Sequence, residues 1–191
     1  MSPIQLFNDW YQQELEISPP KLPAACCLST IGLDGYPNAR FVSLKEVKQD
    51  GFVVTGSLTS RKGLELQYIN KAALTFWWTE TERQVRIQGD ARFISNAEAE
   101  KYFQERNREA QIVSYVSEQG EELPHQGILE MKYNQAVIEF KDRAIERPSN
   151  WSGFLLQPLK IEFLSSKNTR FHQRILFEKA GSFWNSKSLQ P

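Results

Sequence analysis

The chain has 191 residues, 40% of them apolar and 24% charged, the profile of one globular domain with a sizeable core and not of a disordered chain. Lys plus Arg and Asp plus Glu balance at 23 each, so bulk charge gives no reason to expect nucleic acid or an anionic membrane as partner. Any anion site must therefore come from locally placed basic residues.

Ser2-Pro3 reads as a helix start, a hydroxyl cap followed by proline at the first helical position, and Leu6, Phe7, Trp10, Tyr11 and Leu15 recur at helical spacing to about Glu16. Pro19, Pro20 and Pro23 stop it. From residue 24 the pattern changes to strands at 24–31, 38–45 and 52–55, with Asp34-Gly35 and Asp50-Gly51 as turns. Ser60 can cap a short helix carrying Leu64, Tyr68 and Ile69. Strands at 72–78 and 84–93 flank the polar turn Thr79-Glu80-Thr81. Ser95 and Glu98 form a capping box that opens a helix to Arg106, and helices at 110–116 and 128–140 follow around a loop at 118–126. Strands resume at 154–164, 170–177 and near 183–184, with Ala180-Gly181 as the last turn. Strands dominate and most are joined as hairpins, so a closed or partly closed antiparallel barrel with peripheral helices fits better than βαβ repeats. Residues 1–191 read as one domain.

Cys26 and Cys27 are adjacent, with no distant partner for a disulfide, which fits a reducing compartment. His125 and His172 show no metal-ligand spacing. No apolar run has the length of a membrane span and the N-terminus carries no basic-then-apolar leader, so a soluble cytoplasmic protein is expected.

Three segments concentrate basic residues. In Arg40-Phe41-Val42-Ser43-Leu44-Lys45, period two puts Arg40 on one face and Lys45 on the other, where each either meets an anion or ends in solvent. Ser57-Leu58-Thr59-Ser60-Arg61-Lys62-Gly63 enters a helix, and cations beside free N–H groups there suit a phosphate or simply decorate the surface. In Arg170-Phe171-His172-Gln173-Arg174, alternation puts Arg170, His172 and Arg174 on one face. That row either meets an anion or an electron-rich ring, or blunts an exposed edge strand. Tyr102 and Arg106 lie four apart on a helix and share a face. Phe76-Trp77-Trp78 reads as core, and His125 as a loop residue. No Ser/His/Asp order, nucleotide-binding glycine loop or metal cluster is present.

These segments, with Glu82-Arg83-Gln84-Val85, Gln111-Ile112 and Ile161-Glu162-Phe163, resemble the pyridoxamine 5′-phosphate oxidase family over nearly the whole chain. The resemblance implies a Greek-key-like FMN-binding split β-barrel that forms a homodimer, with one FMN in each of two clefts at the subunit interface. By position, Arg40, Ser60, Arg61 and Lys62 would bind the FMN phosphate and its surroundings, while Gln84, Gln119 and Arg174 would hydrogen-bond the flavin or its tail. Lys45, Tyr102 and Arg106 would hold the substrate phosphate. Arg170 and His172 would position the pyridine ring and act as the catalytic residues. The implied reaction is oxidation of pyridoxamine or pyridoxine 5′-phosphate to pyridoxal 5′-phosphate, with O2 as acceptor and H2O2 as product. The protein then contributes mainly binding and orientation. Ala110 stands where the family usually has a phosphate-contacting serine, Gly120 replaces a serine, Leu164 a tryptophan, and Ser188 an arginine. Those departures keep two other readings in view: a related oxidase of another ring, as in phenazine-type pathways, and a non-catalytic flavin- or pyridoxal-phosphate-binding protein. A heme-binding relative is disfavoured by the context of both histidines.

Overall fold

The computed structural model describes residues 2–17, 24–166 and 171–191. Its elements in chain order are α1 (Pro3–Ile17), β1 (Ala25–Ile31), β2 (Pro37–Lys48), β3 (Gly51–Ser57), α2 (Arg61–Tyr68), β4 (Lys71–Trp78), β5 (Arg83–Phe93), α3 (Asn96–Gln104), α4 (Arg108–Val116), α5 (Gln126–Glu139), β6 (Trp151–Ser165), β7 (Gln173–Ala180) and β8 (Phe183–Leu189). The sheet runs β3-β2-β1-β4-β5-β6-β7-β8, every pairing antiparallel, and a further β3–β6 pairing closes the first six strands into a barrel. Closure needs a long strand that can serve two neighbours. β6 does so: residues 151–156 pair with β3 and residues 160–165 with β7, while most of its length pairs with β5. Its register on β5 shifts beside Gly89, where a Cβ would lie 2.0 Å from the Gln157 carbonyl oxygen, so only glycine allows the two backbones to approach there.

Two apolar clusters hold this together. Phe52, Val54, Leu74, Phe76, Val85, Ile87, Leu156 and Phe163 fill the barrel. α1 adds Phe7, fully buried and in edge contact with Phe52 and Phe76 at ring separations of 4.9 and 5.0 Å. Val53, Trp151 and Leu155, on the other face of the same strands, pack against Phe103, Ile112, Ala136 and Phe140 of the helical layer. β3 and β6 are thus apolar on both faces, which is why they read as continuous apolar runs rather than alternating ones. Glu14 of α1 is also buried and accepts from the backbone N–H groups of Glu80 and Thr81, at 3.3 and 3.1 Å, fixing the β4–β5 turn.

The structure departs from the sequence reading in a few places. Phe76 and Trp78 are core, but Trp77 between them is 55% exposed, as alternation on a strand demands. β7 begins at Gln173, so His172 precedes the strand, and Arg170 lies outside the described residues, as do the prolines at 19, 20 and 23. A single strand face carrying all three cations is therefore not what the structure describes. β8 extends to Leu189, its register held by pairing with β7 although most of its side chains are exposed. Among the described residues no helix is long and apolar enough to cross a membrane.

Candidate active site

A cleft of about 420 Å³ opens between β2, the end of β3, the entry to α2 and the face of α4. Arg40, Ser57, Lys62, Arg106, Ser114, Gln119 and Trp151 line it, with Phe41 at its edge 81% exposed. The turn from β3 into α2 delivers Lys62. Ser60 is the N-cap of α2 and is buried, and its hydroxyl donates to the Ser57 carbonyl oxygen at 2.6 Å rather than capping the helix amides. The Lys62 ammonium donates to the Ser60 hydroxyl and to Gln119 Oε1, at 3.0 and 2.9 Å. A Cβ on Gly56 would come within 3.1 Å of Lys62 Cε, so the glycine leaves room for this side chain. Burial, and then the neighbouring Arg40 charge, pull the Lys62 pKa below its ordinary value, since both disfavour the charged form.

Arg40 and Arg61 are turned to a carboxylate. Glu65 of α2 is fully buried and accepts from Arg40 at 2.9 Å, Arg61 at 3.0 Å, Thr30 at 2.5 Å and Asn38 at 2.5 Å. Burial alone would raise the Glu65 pKa, but the hydrogen bonds from Thr30, Arg61, Arg40 and Asn38 outweigh it and hold the group below the ordinary range. Arg61 also meets Asp34 at 3.1 Å and lines an adjoining hollow with Leu33, Asp34 and Gln119. Of the adjacent pair Arg61-Lys62, only Lys62 faces the cleft.

Arg106 enters the cleft from the end of α3. Its guanidinium lies 5.2 Å from the Trp151 ring centre and donates to the Ala110 carbonyl oxygen at 3.3 Å, while its buried Nε has no hydrogen-bond partner among the described residues. Burial lowers its pKa. Neither Lys62 nor Arg106 has a carboxylate partner among the described residues. Lys45 and Tyr102 stand beside the cleft and do not line it. The Lys45 ammonium pairs with Glu105 at 2.7 Å and lies 5.3 Å from the Tyr102 ring centre, and the buried Tyr102 hydroxyl donates to Glu46 at 2.6 Å. Burial and then that carboxylate push the phenol pKa upward.

Of the remaining candidates, Gln84 lies on the far wall and Arg174 on β7, outside the closed ring. In the closed ring of six strands β5 is opposite β2, and Gln84 on β5 pairs with Trp77 and Leu164. Arg174 on β7 pairs across to Leu164 and donates to Glu162 at 2.6 and 2.8 Å and to the Gln190 carbonyl oxygen at 3.1 Å. His172 is half-buried just before β7, and Arg170 is outside the described residues. Ala110 and Ser114 are one turn apart on α4, and the Ser114 hydroxyl donates to the Ala110 carbonyl oxygen at 2.9 Å. This puts a hydroxyl in the cleft that the sequence reading missed. It also missed Glu46, Glu65 and Glu105. Glu65 was signalled by its i, i+4 spacing from Arg61, whereas Glu46 and Glu105 were signalled only as neighbours of Lys45 and Arg106.

Residues 18–138 match the pyridoxamine 5′-phosphate oxidase family, and residues 151–191 match the pyridoxine 5′-phosphate oxidase C-terminal dimerisation region. The chain is 37% identical over 190 residues to a pyridoxine/pyridoxamine 5′-phosphate oxidase of Cyanothece sp., covering 100% of this chain and 89% of that one. It is 38% identical over 189 residues to the enzyme of the same name from Caulobacter vibrioides, covering 99% and 85%. Among solved structures, PhzG from Burkholderia lata, in complex with tetrahydrophenazine-1-carboxylic acid, superposes with a TM-score of 0.94 at 28% identity, covering 100% of this chain and 93% of that one. A pyridoxamine 5′-phosphate oxidase-related, FMN-binding protein from Nostoc punctiforme shares the fold at a TM-score of 0.80 and 17% identity. Barrel, cleft and both family matches agree over nearly the whole chain, which belongs to the pyridoxamine 5′-phosphate oxidase family of oxidoreductases.

Proposed function

We propose that this chain is an FMN-dependent oxidase that converts pyridoxamine or pyridoxine 5′-phosphate to pyridoxal 5′-phosphate, with O2 as acceptor and H2O2 as product. The observation that carries the reading is the cleft in which Lys62, Arg106 and Arg40 converge, two of them without a carboxylate partner among the described residues. The cleft fits FMN. A partly desolvated ammonium, a buried guanidinium Nε with no partner among the described residues and the side chains of Ser57 and Gln119 supply donors and acceptors for a phosphate and a polyol chain. Lys62, Arg40 and Ser60 would hold the FMN phosphate, with Arg61 steadying the same turn through Glu65, and Gln119 would meet the flavin side of the cleft. When bound, the flavin supplies the hydride-accepting and oxygen-reducing chemistry.

The protein's own share is binding and alignment. Arg106, reaching the same cleft, would place the substrate phosphate beside the cofactor, with Lys45 and Tyr102 completing that subsite. Arg170 and His172 would hold the pyridine ring so that the amine- or hydroxyl-bearing carbon faces the flavin. Gln84 belongs to the barrel wall opposite Arg40, with the filled core between, while Arg174 and His172 belong to β7 and its entry, outside the closed ring beside β6. One cofactor cannot touch both walls of the same barrel, so we infer a homodimer in which one protomer offers the cleft and its partner the β5–β7 side. The match to a C-terminal dimerisation region supports this arrangement.

A second reading is oxidation of an unphosphorylated ring, as the likeness to PhzG suggests. It is favoured by the carboxylates already engaging Lys45 and Tyr102. The two readings separate in one assay. Purified FMN-loaded protein given pyridoxine 5′-phosphate in air should form pyridoxal 5′-phosphate and H2O2 in equal amounts, and absence of both would leave the second reading.

A further inference from the structure

The corner that should receive a substrate phosphate is neutralised from within. Glu46 follows Lys45 on β2, and Glu105 caps the C-terminus of α3 just before Arg106. Glu105 Oε2 accepts from Lys45 at 2.7 Å, and its other oxygen lies 3.8 Å from Lys101. Glu46 takes the Tyr102 hydroxyl at 2.6 Å. Lys45 and Lys101 thus face the Glu105 carboxylate and Tyr102 the Glu46 carboxylate, so two of the three groups expected to grip phosphate are already bound by acidic side chains. A phosphate dianion entering here must displace Glu105 from Lys45 and then sit beside a displaced carboxylate, and both steps oppose binding. A ring without phosphate meets neither cost.

We propose that Glu105, assisted by Glu46, is a specificity-determining residue that occupies the Lys45 ammonium in place of substrate phosphate and so weakens phosphorylated ligands relative to the same ring without phosphate. This rests on the reading that the cleft takes vitamin B6 compounds. A purely structural ion pair between α3 and β2 would instead alter thermal stability and leave ligand preference untouched.

The test is equilibrium binding of pyridoxal 5′-phosphate and of pyridoxal to the FMN-loaded wild type, Glu105→Gln, Glu105→Ala and Glu46→Gln, followed by the ligand's absorbance change. Both Glu105 variants should bind pyridoxal 5′-phosphate roughly fivefold tighter or more, the range set by freeing a half-exposed ion pair and removing a like charge. Pyridoxal affinity should not change, and Glu46→Gln should show a smaller gain of the same sign. Unchanged or weaker pyridoxal 5′-phosphate binding, or equal changes for both ligands, would overturn the proposal. Tighter binding without turnover of pyridoxine 5′-phosphate would uphold it and sink the oxidase activity proposed above. Turnover with unaltered affinity would do the reverse, and no binding to any variant would overturn both.

Discussion

Lys62 and Arg40 share one wall of the cleft but stand in different electrostatic settings. Arg40 shares the buried carboxylate of Glu65 with Arg61, whereas among the described residues Lys62 is held by the neutral Ser60 hydroxyl and Gln119 amide oxygen. An incoming phosphate therefore gains most from Lys62. Lys62→Ala should weaken FMN by about 2 kcal/mol, on the order of thirtyfold, the scale of one charge-assisted hydrogen bond; titration of the apoprotein by flavin fluorescence checks this. Arg61→Ala should cost much less, because Arg61 faces Asp34 and Glu65. Glu65→Gln should destabilise the whole fold by about 3 kcal/mol, since it takes the charge from a fully buried carboxylate that the partly buried Arg40 guanidinium, Thr30 and Asn38 share, and urea unfolding would read that loss. The basic half of this network was legible in the sequence. The acidic half was legible only in the i, i+4 spacing of Glu65 from Arg61, because Arg40 and Glu65 meet only once β2 and α2 are folded together. Hydrophobic periodicity carries no information about which carboxylate a given cation will find.

At the scale of elements, strand and helix positions followed from alternation, turn residues and caps, and the Ser95–Glu98 capping box forms as its spacing demands. Glu98 also accepts from Lys48, and hydrogen bonds from Lys48 and then Ser95 lower its pKa from 4.5 to about 2. A carboxyl depressed in the folded state adds stability that is full above its unfolded pKa and is lost as pH falls through the folded one. Glu98→Gln should therefore lower Tm at neutral pH, with the difference from wild type shrinking between about pH 4.5 and 2; melting curves across that range decide it. The ends of elements were less legible. β2 continues through Glu46-Val47-Lys48, and β8 continues through Asn185-Ser186-Lys187, because neighbouring strands supply pairing where the side chains give no apolar signal. The start of β7 was misplaced for the related reason that Phe171 extends the apparent alternation, although its side chain is 77% exposed.

For the whole molecule, the consequence of closing six strands is that residues expected around one flavin are divided between opposite walls. Sequence order could not show this, since Arg40 and Gln84 are separated by a ring geometry that depends on the β3–β6 pairing. Phe41 is 81% exposed at the edge of the cleft, where an apolar ring is most useful against a second copy. Phe41→Asp should shift the protein toward monomer and release flavin together, with the barrel intact by circular dichroism; sedimentation velocity with detection at the flavin band follows both. Dissociation without flavin loss would show that one chain suffices for the cofactor.

The most direct measurement is the absorbance spectrum of the FMN-loaded protein before and after anaerobic addition of pyridoxine 5′-phosphate, and again after air is admitted. The proposed oxidase predicts flavin bands that bleach with substrate and return with oxygen. Flavin bands that stay unchanged on adding this substrate would contradict it.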